Sequence, residues 1–189
     1  MRIIAGVAKG RNLSPVANAT RPTSDRAREA LFSSIQSEFG DFSEITFLDL
    51  YSGSGAIGLE ALSRGFNSTV AVEKDEAACK TIRENFDLVQ RANPQGKFQL
   101  ISSSVTKYLS QSASKKFDVV FLDPPYETEN KEVEDIIKLL VNNHFLNSGA
   151  LVVIERPSKG EEISWPLPLK SSRMREYGTA VFYFATYEL

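Results

Sequence analysis

The chain has almost no cysteine or histidine. Cys79 is the only thiol in 189 residues and His144 the only imidazole. A single cysteine closes no internal disulfide, which fits a reducing compartment. One Cys and one His far apart make a poor start for a zinc site, and a Ser-His-Asp mechanism would have to use His144 itself. His144 falls near the end of an expected helix and reads as a surface residue. No apolar run approaches membrane-spanning length, and the opening MRIIAGVAKGR lacks the h-region of a signal peptide. Internal repeats and low-complexity tracts are missing as well. Together these absences point to a cytoplasmic protein.

What is present is the composition of an ordinary globular domain, 42% hydrophobic and 24% charged. Its length suits one well-cored domain. The net charge of −2 hides an asymmetry: residues 1–28 carry Arg2, Lys9, Arg11, Arg21, Arg26 and Arg28 against Asp25, a balance of +5, which leaves −7 for the rest. An acidic body with a basic N-terminal segment suggests local contact with a polyanion, and a solvated basic hairpin fits equally.

Arg2–Val7 and Arg11–Val16 read as two short strands around Ala8-Lys9-Gly10, a β-hairpin followed by a linker over Ala17–Arg21. Thr23 or Ser24 can cap a helix whose face carries Ala27, Leu31, Ile35 and Phe39 and which Gly40 closes. Beyond it the chain alternates. Strands are expected at Thr46–Tyr51, Thr69–Glu73, Phe98–Ile101, Phe117–Leu122 and Ala150–Glu155. Helices are expected at Ala56–Arg64, Ala77–Val89, Val105–Leu109 and Val133–Asn142. That alternation predicts a doubly wound, mostly parallel α/β sheet. Leu169–Tyr177 and Thr179–Tyr187, parted only by Gly178, break the rhythm and predict a terminal antiparallel hairpin.

Two motifs carry chemistry. Asp123-Pro124-Pro125-Tyr126 follows the Phe117–Leu122 run, at the strand end where open α/β sheets place ligands. The prolines stiffen the backbone and leave carbonyls free to accept. With the Asp123 carboxylate they form an acceptor cluster beside a flat ring, suited to a nucleobase that bears an exocyclic amine. A Pro-containing turn with a buried tyrosine is the plainer alternative. The second motif, Tyr51-Ser52-Gly53-Ser54-Gly55-Ala56-Ile57-Gly58, has G-x-G-x-x-G spacing, and Glu73 ends the next strand where a carboxylate can take ribose hydroxyls. A nicotinamide dinucleotide would fit that spacing too. Asp49 argues against it: a carboxylate at the loop entry repels a pyrophosphate and suits a cofactor with positive charge. Asp49 and Glu73 could also be helix-capping or surface acids.

The ordered set Asp49…Gly53-Ser54-Gly55, Glu73 and Asp123-Pro124-Pro125-Tyr126 resembles class I S-adenosylmethionine-dependent methyltransferases that modify exocyclic amines. More narrowly, Arg2-Ile3-Ile4-Ala5-Gly6, Lys9-Gly10-Arg11, Arg21-Pro22-Thr23-Ser24-Asp25-Arg26 and Gly58-Leu59-Glu60-Ala61-Leu62-Ser63-Arg64-Gly65 are similar to bacterial 16S ribosomal RNA (guanine(966)-N(2))-methyltransferases. The resemblance runs from Arg2 to about Tyr183 and implies one methyltransferase domain. Residues 1–20 would be its basic hairpin and linker, and 21–189 a catalytic core on a seven-stranded Rossmann-like sheet with an antiparallel C-terminal strand.

The same resemblance implies S-adenosylmethionine as cofactor, with Asp49, Tyr51, Gly53, Gly55, Glu73, Ser104, Thr23 and Asp123 around it. It implies 16S ribosomal RNA or the small ribosomal subunit as partner, with Arg2, Lys9, Arg11, Arg21 and Arg26 toward RNA; a monomer is the default expectation, the sequence leaving the oligomeric state open. Asp123, Pro124, Pro125 and Tyr126 would grip and stack the target base, and Phe32 would line the donor pocket, although its spacing by itself favours a core position. Two departures stand out. Ser102-Ser103-Ser104 replaces the acidic residue such enzymes place near the adenine amine, and Thr179 replaces an Asp after Tyr177-Gly178. A DNA adenine-N6 methyltransferase and a non-catalytic RNA-binding protein on the same fold are the competing readings.

Overall fold

The structure is a computed structural model that describes residues 1–16, 23–160 and 162–188. A seven-stranded sheet forms its centre. Helix α1 (Asp25–Phe39) precedes strand β1 (Thr46–Leu50), and α2 (Ala56–Ser63), β2 (Ser68–Glu73), α3 (Glu76–Gln90) and β3 (Lys97–Ser102) follow. Then come α4 (Val105–Leu109), β4 (Phe117–Leu122), α5 (Asn130–Asn142), β5 (Leu146–Pro157), β6 (Leu169–Tyr177) and β7 (Ala180–Tyr187). The spatial order is β3-β2-β1-β4-β5-β7-β6. All pairings from β3 to β5 are parallel, while β7 runs antiparallel to both β5 and β6, so it alone is reversed.

Strand patterning explains the two helical layers. Phe47, Val119, Phe121, Leu151 and Val153 face α1 and α2, while Leu48, Leu50, Val120, Leu122, Val152 and Ile154 face α4 and α5. Both faces are buried, so these strands read as nearly continuous apolar runs. Ser24, not Thr23, caps α1: its hydroxyl accepts from the Ala27 amide at 3.2 Å. Phe32 is fully buried among Phe47 and Phe66 with the Arg64 guanidinium over its ring, so it is a core residue that lines no cleft described below.

The N-terminal hairpin is narrower than two strands. One antiparallel bridge, Arg2 with Asn12, holds it. Ile3 N donates to Arg11 O at 2.9 Å, Gly10 N to Ile3 O at 2.9 Å and Leu13 N to Met1 O at 2.8 Å within it, and other amides bond to α2 and α3. Glu60 accepts from the Ile4 and Ala5 amides at 2.7 and 3.0 Å, and Ser63 Oγ accepts from Ala8 N at 3.0 Å. Asn85 exchanges two hydrogen bonds with the Ser14 backbone. The expected linker, Arg21 included, lies outside the described residues, as does Pro22. Among the described residues no helix is long and apolar enough to cross a membrane, and no cluster of His, Cys, Asp or Glu could hold a metal.

Candidate active site

Strand order sets the site. The chain moves from β1 outward through β2 and β3, then returns to lay β4 on the other side of β1. The crevice at the carboxyl ends of β1 and β4 is therefore the switch point of the sheet, where open α/β folds bind ligands. The Asp123 amide donates to Leu50 O at 3.3 Å and fixes the two strand ends together.

A cleft of about 660 Å³, part of that space being open solvent, occupies this crevice. Its floor and walls bring together the expected residues Asp49, Tyr51, Gly53, Thr23 and Asp123. Gly55 sits directly behind, as the left-handed N-cap of α2. Tyr51, Gly53 and Gly55 all have positive φ, of 62°, 54° and 78°. Tyr51 is the costly member, since a bulky side chain in that region is strained, and such strain gathers at binding sites. Gly58 is needed for close approach: a Cβ there would stand 3.0 Å from Asp49 Oδ2.

Asp49 is buried, and its Oδ2 accepts from the Gly58 amide at 2.9 Å. Burial pushes its carboxyl up to about 7, helped by the nearby Glu73 charge and opposed by the Gly58 bond. Glu73 stands beside the cleft and not in its lining. Its Oε2 accepts from Gly53 N at 2.9 Å, and its Oε1 from the Lys74 and Asp75 amides at 2.8 and 2.9 Å. Ser104 caps α4, accepting from Lys107 N at 3.2 Å, and is likewise outside the lining.

The acceptor loop leaves β4 with Asp123 partly exposed, Pro124 buried, and Pro125 and Tyr126 exposed. The Asp123 carboxyl is raised well above the usual range, first by burial, then by the charges of Glu155 and Asp49, with Arg156 opposing. These three acids share a face. Asp49 pairs in register with Phe121, and Leu122 with Ile154, so Asp123 and Glu155 follow as neighbours on the side of α1.

Of the basic residues, Lys9 and Arg26 are exposed and Arg11 partly so; Arg2 is exposed and pairs with Asp25 at 3.5 Å. None of these lines the cleft, but the segment that carries them does: Met1, Pro15 and Val16 form part of its wall.

Sequence reasoning missed three charged residues. Arg28, fully buried, lines the cleft; its NH2 donates to Arg2 O at 2.8 Å and to Asp25 at 2.6 Å, while its Nε and NH1 have no hydrogen-bond partner. Arg156, also buried, donates to Pro125 O at 3.4 Å and to Thr128 O, bracing the acceptor loop from behind. Glu155 accepts from the Thr23 hydroxyl at 2.8 Å. The signal for the last two was present: an acid and a base together end the buried run Leu151–Ile154.

Comparison with known proteins fits this geometry. The family described as conserved hypothetical protein 95 matches residues 1–186. Haemophilus influenzae ribosomal RNA small subunit methyltransferase D is 35% identical over 158 residues, spanning 82% of this chain and 78% of its own length. The Escherichia coli protein of the same name is 34% identical over 156 residues, 82% and 74% of the two chains. The solved structure of Escherichia coli yhhF superposes with a TM-score of 0.84 at 30% identity, covering 100% of this chain and 98% of that one. The chain belongs to the conserved hypothetical protein 95 family, with relatives named ribosomal RNA small subunit methyltransferase D.

Proposed function

We propose that this protein is an S-adenosylmethionine-dependent methyltransferase that modifies the exocyclic N2 amine of a guanine in 16S ribosomal RNA. The observation that carries the reading is the meeting, at one switch point, of the Asp123-Pro124-Pro125-Tyr126 loop with the cleft holding Asp49 and the Gly53–Gly55 turn. The names of the relatives supply the ribosomal small-subunit RNA. The chemistry of the site supplies the amine.

The cleft fits the cofactor on its own terms. It holds one buried acid, Asp49, and one buried guanidinium, Arg28, two of whose nitrogens make no hydrogen bond. That pair matches the ammonium and carboxylate of an amino-acid head group. Glu73 would take the ribose, and Ser104 or neighbouring backbone would face the adenine. Bound there, S-adenosylmethionine supplies a methyl group already activated by its sulfonium charge. Positioning then dominates the chemistry.

Asp123 and the Pro124 carbonyl would accept from the two N2–H bonds and favour the pyramidal nitrogen that forms as the methyl arrives. The amine is too weak an acid to lose a proton first. Its proton leaves after the C–N bond has formed, when the nitrogen carries the charge, and the Asp123 carboxylate hydrogen-bonded to that nitrogen would take it. Tyr126 would stack on the flipped base. Arg2, Lys9, Arg11, Arg21 and Arg26 would serve the RNA backbone.

The acidic body favours a substrate presented by an assembled or partly assembled small subunit over naked RNA. The enzyme would act as a monomer of one domain, in the cytoplasm, where the ribosome is built. Asp123→Ala tests the reading: turnover should vanish while affinity for S-adenosylhomocysteine stays within about threefold, since one acceptor hydrogen bond outside the donor head group is removed. Full turnover in this variant would sink it.

A further inference from the structure

A second cleft of about 310 Å³, part of that space being open solvent, shares Thr23 with the first. The acceptor loop serves both, since Asp123 lines the first and Tyr126, three residues on, lines the second. The β6–β7 hairpin contributes Tyr177 and Thr179 to the second. Tyr177 is partly buried, pairs with Ala180 across the turn, and packs its ring on Phe182 with centroids 5.3 Å apart. An aromatic ring is thus fixed in the same cleft as the ring of the acceptor loop. Arg173 and Arg175 precede it on the same face of β6. Arg173 lies over the Phe184 ring and bonds to Ser34 O and Glu38, whereas Arg175 is exposed, its NH1 donating to Met174 O at 3.1 Å.

A fixed ring with an exposed guanidinium two residues away is the chemistry of a platform for single-stranded nucleic acid. A target amine held at Asp123 lies at the donor cleft, which leaves the second cleft for the nucleotide beside it in the same strand. The Glu155 carboxylate in the second lining accepts from the Thr23 hydroxyl and disfavours a phosphate there, whereas Arg175 stands outside the lining, in solvent. That charge pattern turns a base inward and its phosphate outward. Resting on the ribosomal RNA methylation reading and deepening it, we infer that the second cleft binds the nucleotide next to the target: Tyr177 stacks on its base and Arg175 takes its phosphate. The hairpin then holds the strand on one side of the flipped base while the target reaches Asp123.

Photocrosslinking reads the contact without a variant. Small subunits are reconstituted with 4-thiouridine immediately 5′ or immediately 3′ of the target, or with 6-thioguanine at the target itself. Each is irradiated with the wild-type protein and S-adenosylhomocysteine, and the crosslinked residue is identified by mass spectrometry. One of the two neighbours should crosslink to Tyr177, and the target analogue should not. Tyr177→Leu keeps apolar bulk on Phe182 but removes the flat ring. It should lower kcat/KM for subunits by about 5- to 150-fold, the scale of one lost base–aromatic stack, with affinity for S-adenosylhomocysteine unchanged. Tyr177→Phe should stay within about threefold of wild type. Arg175→Ala should reduce the slope of log affinity for subunits against log salt by about 0.7–0.9, one phosphate contact.

A crosslink to Tyr177 from the target position would overturn the inference, because the second cleft would then hold the target base. Crosslinks to Tyr177 from neither neighbour would overturn it too, as would wild-type kcat/KM in Tyr177→Leu or an unchanged salt slope in Arg175→Ala. Absence of N2-methylguanosine on unsubstituted subunits would instead overturn the methylation reading beneath it.

Discussion

The Asp49 carboxylate accepts the Gly58 amide at 2.9 Å, joining the end of β1 to the first turn of α2 underneath the glycine loop. One oxygen thus serves the fold, in a group whose pKa sits near 7. The folded state holds the proton above the unfolded value of 3.8, so the ligand-free protein should lose stability as pH rises from about 4 to about 7. Asp123, raised in the same direction, adds to that slope. Asp49→Asn should flatten part of it and be the more stable protein at pH 8, as read by thermal melting. Wild-type affinity for S-adenosylhomocysteine, whose ammonium favours the ionised acid, should rise across the same window, and that rise should shrink in the variant. A pH-independent wild-type affinity would remove Asp49 from the head-group site.

Arg156 is predicted to act on turnover without touching the donor. It holds the carbonyls of Pro125 and Thr128, so Arg156→Ala should loosen the acceptor loop. The kcat should fall by about 10- to 100-fold, the scale of a misplaced reacting group. Affinity for S-adenosylhomocysteine should not change. Arg156→Lys should recover little, because a point ammonium cannot reproduce the fork. A variant with normal kcat would show that the loop needs no brace.

Much of this arrangement was legible in the sequence. The Thr46–Leu50 and Phe117–Leu122 strands and the loops after them announce themselves through apolar runs that end in Asp, Gly and Pro. The start of β5 did not, because Asn147-Ser148-Gly149 interrupts the apolar pattern, and the pairing with β4 slips between Phe117 and Val119. The N-terminal pairing was over-read for a different reason. The amides of Ile4, Ala5, Ala8 and Ser14 bond to Glu60, Ser63 and Asn85, partners more than 50 residues away that no local pattern reveals. Arg28 lies on the buried face of α1 with Leu31, Phe32 and Ile35, but a charged residue at such a position reads as surface until Asp25 and Arg2 O are seen beside it.

Glu60 carries the attachment of the basic segment. It is fully buried and accepts from Ile4 N, Ala5 N and Arg64 Nε, with Arg28 NH1 at 3.9 Å. Glu60→Ala leaves two buried guanidinium groups without this counter-charge, which should cost about 3–5 kcal/mol in chemical denaturation. Proteolysis should then cut first near the N-terminus. A variant with wild-type stability would contradict the account of how the segment is held.

Gly6 gives a steric version of the same prediction. Its φ is +78°, and a Cβ there would fall 1.8 Å from the Ser63 carbonyl oxygen. Gly6→Ala should therefore lower the melting temperature and weaken binding of S-adenosylhomocysteine, since Met1, Pro15 and Val16 wall the cleft. Gly10, also at positive φ but with open space around it, should tolerate alanine at a cost of only about 1–2 kcal/mol. Equal effects at the two glycines would argue that the Gly6 contact is unimportant.

The most direct test of the central claim is transfer of labelled methyl from S-adenosylmethionine to small ribosomal subunits from cells lacking the endogenous enzyme, followed by nucleoside analysis. The account predicts label in N2-methylguanosine, lost in Asp123→Ala. Label in any other nucleoside, or none although the cofactor binds, would contradict it.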